Sequence, residues 1–242
     1  MPIQVFWILD NINDAEALVA RNGSGVNTLA DLKGKKIGLP FVSTTHFHAL
    51  VALQDAGVDP KSVQILNLRP PEILAAWARG DIDATFVWDP ALAEVKKNGK
   101  VIVTSGQIAA KTGKATFDGL AVSRDFAKAN DAFLTQFVQV LADVDKAYTS
   151  NRAGWTADSP QVKAVAKWSG AQPAAVPDSL SLYAFVPPAE QATPKWLGGG
   201  KDAVVTKSLA ATAAFLKEQG TIQNVLPDYS VGVNPSWVER AK

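Results

Sequence analysis

The chain has 242 residues with 24 basic and 23 acidic side chains, and its net charge of +1 gives nucleic acid no electrostatic footprint. It contains no cysteine, which removes disulfides, thiolate nucleophiles and thiolate metal sites together and leaves the compartment open. The 47% apolar content suits a globular chain, yet no apolar run reaches the ~18 residues of a membrane span, and Met1-Pro2-Ile3-Gln4 lacks the marks of a signal peptide.

Residues 3–9 are strongly apolar and predict a buried strand of the parallel-sheet kind, closed by the polar turn Asp10-Asn11-Ile12-Asn13-Asp14. A second short strand over 16–21 ends at Asn22-Gly23-Ser24-Gly25. Thr28-Leu29-Ala30-Asp31 has the spacing of a capping box, so a brief helix follows and stops at Gly34. From Lys35 the pattern becomes regular. Strand 36–39 is followed by a helix over 45–56 with Phe47, Leu50 and Val51 on one face. Strand 63–68 then leads to a helix that starts at Pro70-Pro71-Glu72 and stops at Gly80. Next come strand 82–88, helix 91–97 with Asn98-Gly99 as its C-cap, and strand 101–104. This alternation predicts a parallel sheet with right-handed crossovers.

A Gly/Lys loop leads to strand 120–123, and beyond Asp125 the chain turns helical. Phe133, Phe137, Val140, Leu141 and Val144 are expected to form one face of a long helix, and Leu209, Thr212, Ala213 and Leu216 a face of another. The Pro- and Gly-rich stretch 173–200 between them is expected to wrap the surface. Residues 35–104 make a full βαβαβ lobe, whereas 1–20 supply at most two strands of another, so the first lobe reads as incomplete.

Three polar clusters stand at strand ends, where open α/β sheets bind their ligands. In Ser43-Thr44-Thr45-His46 a strand feeds the first turn of a helix, whose free amides and macrodipole favour an oxyanion. The same residues fit a simple helix cap by Thr44 or Thr45 equally well. The second cluster, Phe86-Val87-Trp88-Asp89-Pro90, carries an aromatic and an acid out of a buried strand. The third is Thr116-Phe117-Asp118-Gly119, whose acid is either a solvated turn residue or the partner of a ligand cation. No catalytic residues, metal ligands or cofactor motif emerge. His46 and His48 diverge on a helix, and G-x-S-x-G, G-x-G-x-x-G and Walker A patterns are absent.

With these residues in view, the chain resembles the solute-binding proteins of the taurine and aliphatic-sulfonate ABC importers, a type II periplasmic-binding-protein family, and within it the taurine-binding members. The likeness covers nearly the whole chain. It rests on Glu16-Ala17-Leu18-Val19, Pro40-Phe41-Val42-Ser43-Thr44-Thr45-His46, Asn67-Leu68-Arg69-Pro70-Pro71, the stretch from Ala75 to Asp83, and Phe215-Leu216-Lys217-Glu218-Gln219-Gly220. Gly80-Asp81-Ile82-Asp83 recurs widely and says little about the ligand, while the Phe41–His46 run is more specific.

The resemblance implies an α/β fold of two lobes with mostly parallel sheets flanked by helices, the first lobe incomplete. Lobe 1 would comprise 1–16 and 125–242, and lobe 2 would be 17–124. It implies a ligand set of Ser43, Thr44, Thr45 and His46 at a helix N-terminus, with Trp88 as a wall. Asp118 would hold an ammonium, with Glu16, Asp89 and Asn11 close by; Asp10 and Asn11 stand where relatives carry other polar residues. The function implied is capture of taurine or a related small sulfonate in a cleft between the lobes, without catalysis, metal or cofactor. Delivery would be to a membrane permease and its ATPase by a periplasmic monomer that binds no nucleic acid. Family members carry a signal peptide and a βαβαβ portion ahead of Ile3, so this polypeptide is expected to bind its ligand weakly or not at all by itself. Rival readings are an aliphatic-sulfonate or nitrate-type binder, an enzyme like the pyrimidine-precursor synthases that share the fold, and the effector lobe of a transcription regulator.

Overall fold

Seven strands form among residues 2–241, which the computed structural model describes: β1 (Ile3–Asn11), β2 (Glu16–Arg21), β3 (Lys36–Leu39), β4 (Gln64–Asn67), β5 (Ala84–Trp88), β6 (Gly99–Thr104) and β7 (Phe117–Ser123). The helices of the first half are α1 (Thr44–Asp55), α2 (Pro70–Arg79), α3 (Ala91–Lys96) and α4 (Ser105–Thr112). Those of the second half are α5 (Arg124–Ala129), α6 (Asp131–Ser150), α7 (Pro160–Ser169), α8 (Val176–Ser181), α9 (Pro188–Gln191), α10 (Val204–Glu218) and α11 (Ser236–Arg240). They belong to two compact units. One holds 12–116 with 165–183; the other holds the residues up to Asn11, 117–164 and those from Ala184 on. The chain thus changes unit at 11/12, 116/117, 164/165 and 183/184, in place of the anticipated 16/17 and 124/125.

In the first of these units a five-stranded sheet has the order β4-β3-β5-β2-β6. β3 runs parallel to β4 and β5, but β2 is antiparallel to both β5 and β6, so the sheet is mixed where the alternation predicts a parallel one. β2 is reached through the short 3-10 turn Asn13–Ala15, with no crossover helix to force a parallel entry. Its side chains alternate between two cores. Leu18 and Ala20 pack with Leu39, Ala49, Leu53 and Phe86 on one face, and Ala17 and Val19 with Ile73, Trp77, Leu92 and Val95 on the other. Helices therefore cover both faces, and each fully buried Leu or Val contributes about 1.5–3 kcal/mol.

Two glycines show how position decides their use. Gly80 ends α2 at φ 76°, its N–H donating to the Ala76 and Trp77 carbonyls, as its place after the helix predicts. Gly99, anticipated as a helix cap, is instead the first residue of β6. A Cβ there would lie 2.6 Å from Val19 Cγ1 and 2.8 Å from Trp77 Cζ2, so the close approach of β2 and α2 is what requires glycine.

In the second unit the strand partner of β1 is β7, antiparallel, with isolated bridges to Val233 and Ala184, not the parallel sheet that its apolar run predicts. Phe6, Trp7 and Ile8 are buried consecutively against Leu134, Val138, Trp196 and Trp237. The other edge of β1 is fastened by Gln191, which is fully buried. Its Oε1 accepts from the Ile8 N–H at 2.8 Å, and its Nε2 donates to the carbonyls of Ile8 at 3.0 Å and Val186 at 2.9 Å.

The long helix α6 corrects the sequence reading. It buries Leu134, Val138, Ala142 and Tyr148, while Phe133 and Val140 stand 54% and 58% exposed and Phe137 and Val144 are also accessible. Leu141 is partly buried against the core. Two apolar stripes of equal spacing run along this helix, and periodicity cannot tell which one the core receives. On α10, Leu209 and Ala213 face inward as expected but Thr212 is exposed, and Val205 and Phe215 complete the buried side.

Candidate functional site

The site begins where β3 ends. Ile37, Gly38 and Leu39 are buried in the sheet, Pro40 closes the strand, and Val42 adopts φ 57°, a left-handed conformation that is costly for a β-branched side chain. The strained turn is held by the Val42 N–H donating to His46 Nδ1 at 3.2 Å and the Phe41 N–H donating to Asn67 Oδ1 at 2.9 Å. Phe41 stacks on the His46 ring with centroids 4.5 Å apart. His46 therefore acts as an acceptor and is neutral, and burial lowers its pKa in agreement.

Ser43, not Thr44 or Thr45, caps α1. Its Oγ accepts from the His46 N–H at 3.2 Å and donates to the Pro40 carbonyl at 2.6 Å, so the Thr45 hydroxyl, 2.8 Å away, must donate to it. Thr45 is fully buried beneath the turn. What remains unpaired is the main chain. The Thr44 and Thr45 amides, first and second in the helix, have no intrahelical acceptor and form no hydrogen bond among the described residues. They sit at the positive end of a twelve-residue helix.

Behind Thr44 lies a buried polar chain. The Thr44 hydroxyl donates to Glu16 Oε1. Glu16, only 4% exposed at the start of β2, reaches Ser105 Oγ through Oε2 at 3.1 Å. Ser105 Oγ is 2.7 Å from Nδ1 of His48, which is fully buried, and His48 Nε2 lies 2.9 Å from the Lys114 carbonyl. Beside this chain the Thr104 hydroxyl donates to Asp14. Burial lowers the pKa of His48, partly offset by the Lys114 carbonyl.

Of the sequence-derived residues, Ser43, Thr44, Thr45, His46 and Glu16 come together. Glu16 supports Thr44 from within rather than facing solvent. Trp88, half-buried at the end of β5, is the register partner of Glu16 and so stands at the same sheet end. Asp89 is engaged structurally. Its Oδ1 accepts from the Ala93 N–H at 2.8 Å at the start of α3, and its Oδ2 from the Ser179 hydroxyl.

Asn11 and Asp118 belong to the other unit. The Asn11 backbone pairs with Ala184, and Asp118 on β7 lies opposite Asp10 of β1. The Asp118 side chain is accessible, yet the surrounding protein withholds enough water to push its carboxyl above the usual range.

Sequence reasoning missed Ser105, His48 in its supporting role, and the whole of α4. The signal was present. Thr104 and Gln107 form a capping box, Thr104 Oγ1 accepting from the Gln107 N–H at 3.1 Å and Gln107 Oε1 from the Thr104 N–H at 3.0 Å. At Gly106 a Cβ would lie 2.6 Å from Asp14 Oδ1, which is why the first turn of α4 comes so close to the start of β2.

Among the described residues no group of three or more His, Cys, Asp or Glu side chains could hold a metal, and no helix is long and apolar enough to cross a membrane. A mixed sheet with helices on both faces and a helix N-terminus at a strand end is the type II periplasmic-binding-protein architecture. The solved aliphatic sulphonate-binding protein SsuA of Escherichia coli shares it, with a TM-score of 0.76 at 20% identity over 98% of this chain and 75% of that one. The desulfurization enzyme DSZB has the same fold, with a TM-score of 0.68 at 15% identity over 99% of this chain and 79% of that one. The fold therefore does not by itself separate binding from catalysis.

The NMT1/THI5-like family matches residues 4–150, and the chain belongs to it. It is also 36% identical over 239 residues to the taurine-binding periplasmic protein of Escherichia coli, covering 99% of this chain and 72% of that protein.

Proposed function

We propose that the chain is a solute-binding protein of an ABC importer that takes a small sulfonate, taurine foremost, at the N-terminus of α1. The observation that carries this is the pair of unpaired amides at half-buried Thr44 and, just beneath it, buried Thr45, set in a turn whose hydroxyls are all engaged elsewhere. A sulfonate spreads one charge over three acceptor oxygens, so amide donors and the helix dipole satisfy it without a full cation. Hydrogen bonds to a charged group contribute about 1.5–3 kcal/mol each.

The taurine-binding relative supports the choice of ligand class. We carry Asp118 as the ammonium partner and Trp88 as the wall of the site. Delivery to a permease and ATPase, and a periplasmic location, follow from the same reading. Binding is preferred to catalysis because the hydroxyls of Ser43, Thr44 and Thr45 donate to fixed internal acceptors and none is set up as a nucleophile.

The test is calorimetry and thermal unfolding with taurine, alkanesulfonates and amines. A sulfonate at 100 times its Kd stabilises by about 2.7 kcal/mol through mass action. Absence of any shift across the sulfonates up to millimolar concentration refutes the reading.

A further inference from the structure

The buried chain behind Thr44 has two oxygen or nitrogen contacts in series, Glu16 Oε2 to Ser105 Oγ at 3.1 Å and Ser105 Oγ to His48 Nδ1 at 2.7 Å. Each needs one proton to be attractive. Ser105 supplies a single proton. The Lys114 carbonyl, 2.9 Å from His48 Nε2, can only accept, so the proton on a neutral ring stands at Nε2 and Nδ1 has none to offer. With Glu16 ionised and His48 neutral, one of the two contacts would therefore set lone pair against lone pair.

We propose that Glu16 and His48 share one further proton across Ser105, and that this proton keeps the floor of the α1 N-terminus electrically neutral. In one form Glu16 Oε2–H donates to Ser105 and Ser105 donates to His48 Nδ1. In the other the Glu16 proton has moved to Ser105 Oγ as the Ser105 proton moves to Nδ1, leaving carboxylate and imidazolium. Only O–H and N–H bonds exchange, and no other reactant takes part. Both forms are neutral overall and satisfy both contacts. The low accessibility of the three side chains, 4% for Glu16, 0% for His48 and 1% for Ser105, favours a neutral chain over a net buried charge. Burial lowers the pKa of His48, which disfavours the imidazolium form.

Several of the other charged groups on the surrounding elements are engaged elsewhere. The elements packed on α1 and α4 bring Asp31, Lys61, Asp14, Arg21, Lys100 and Lys111, and α1 itself carries His46 and Asp55. Asp14 takes the Thr104 hydroxyl, Asp31 the Asn27 and Thr28 amides, and Asp55 pairs with Lys111. It is Glu16 that hydrogen bonds connect to His48.

The consequence for ligand binding, which rests on the sulfonate reading, is that loss of this proton places a negative charge directly beneath an anion. Sulfonate affinity then falls on the alkaline side.

The test is nuclear magnetic resonance of the whole chain with ¹⁵N-labelled histidine, titrated from about pH 5 to pH 9. Wild type should keep the Nε2–H ring and show an alkaline step at His48 as the shared proton leaves. Glu16→Gln, whose amide donates to Ser105 without a titratable proton, should lack that step, and so should Ser105→Ala should the first variant not fold. A wild type without the step, or a step unchanged in the variants, overturns the proposal. In parallel, methanesulfonate affinity should fall about tenfold per pH unit above the step in wild type. Sulfonate binding without the step refutes the shared proton alone; the step without sulfonate binding at any pH refutes the ligand reading alone.

Discussion

Thr44 and Glu16 stand 28 residues apart in sequence and are joined by a hydrogen bond from hydroxyl to carboxyl. That bond ties the first residue of α1 to the first residue of β2, which lies between β5 and β6 in the five-stranded sheet. It fixes how the unpaired amides of Thr44 and Thr45 are placed, and it hands the Thr44 hydroxyl to the protein rather than to a ligand.

Replacing Thr44 with Val therefore removes a structural bond more than a ligand contact. Glu16 Oε1 loses a donor in a buried setting, which costs about 1–3 kcal/mol. Urea unfolding of Thr44→Val should show that loss, while sulfonate affinity changes less than tenfold because the amides remain. A larger loss of affinity than of stability would assign the hydroxyl to the ligand.

Gln191 offers a second test in the other unit. Its side chain makes three hydrogen bonds to the main chain of Ile8 and Val186 in a fully buried setting. Gln191→Leu keeps the volume but leaves those groups unpaired, at about 1–3 kcal/mol for each one that water cannot reach. Denaturant unfolding should show a fall of at least about 2 kcal/mol, and hydrogen exchange at Ile8 should accelerate.

How much of this could be read beforehand depends on the element. The strand–helix junction at Ser43–His46 was legible because an apolar strand, a Pro and a run of hydroxyl residues mark it locally, and Gly80 marks its helix end in the same way. The cap itself falls one residue early, on Ser43, because the hydroxyl that reaches the His46 amide must precede the helix. The antiparallel placement of β2 was not legible, since strand direction depends on the connection and not on the apolar pattern. The buried stripe of α6 was ambiguous because Phe133 and Leu134 begin two equally spaced apolar rows. The Glu16–Ser105–His48 chain was hidden for a different reason. Its members are 89 and 57 residues apart, and no local spacing reports them.

Asp145 should make stability depend on pH. It lines a cavity of about 650 Å³ with Gln139, Lys146, Arg152 and Phe185, its Oδ2 has no hydrogen-bond partner among the described residues, and burial raises its pKa from 3.8 to about 6. Between those values the folded state holds the proton and the unfolded state does not, so stability falls as pH rises through about 4 to 6. Asp145→Asn removes that cost. Its melting temperature should exceed that of wild type at pH 8 by more than at pH 4; an equal difference at both would show that Asp145 does not titrate this way.

Asp118→Asn separates the two ends of the proposed ligand. Loss of the carboxylate should weaken taurine by tenfold or more, as expected for a charge-assisted hydrogen bond, while methanesulfonate, which has no amine, should change by less than about threefold. Calorimetry with both ligands reads this directly. Equal losses would remove Asp118 from the role of ammonium partner.

The most direct measurement is the amide spectrum of the ¹⁵N-labelled chain during titration with methanesulfonate and taurine, which registers weak as well as tight binding. A sulfonate received at the start of α1 should shift the Thr44 and Thr45 amides saturably and more than any others, in both titrations. Thr44 and Thr45 resonances that stay fixed while the ligand binds elsewhere, or that never move at all, would contradict the account.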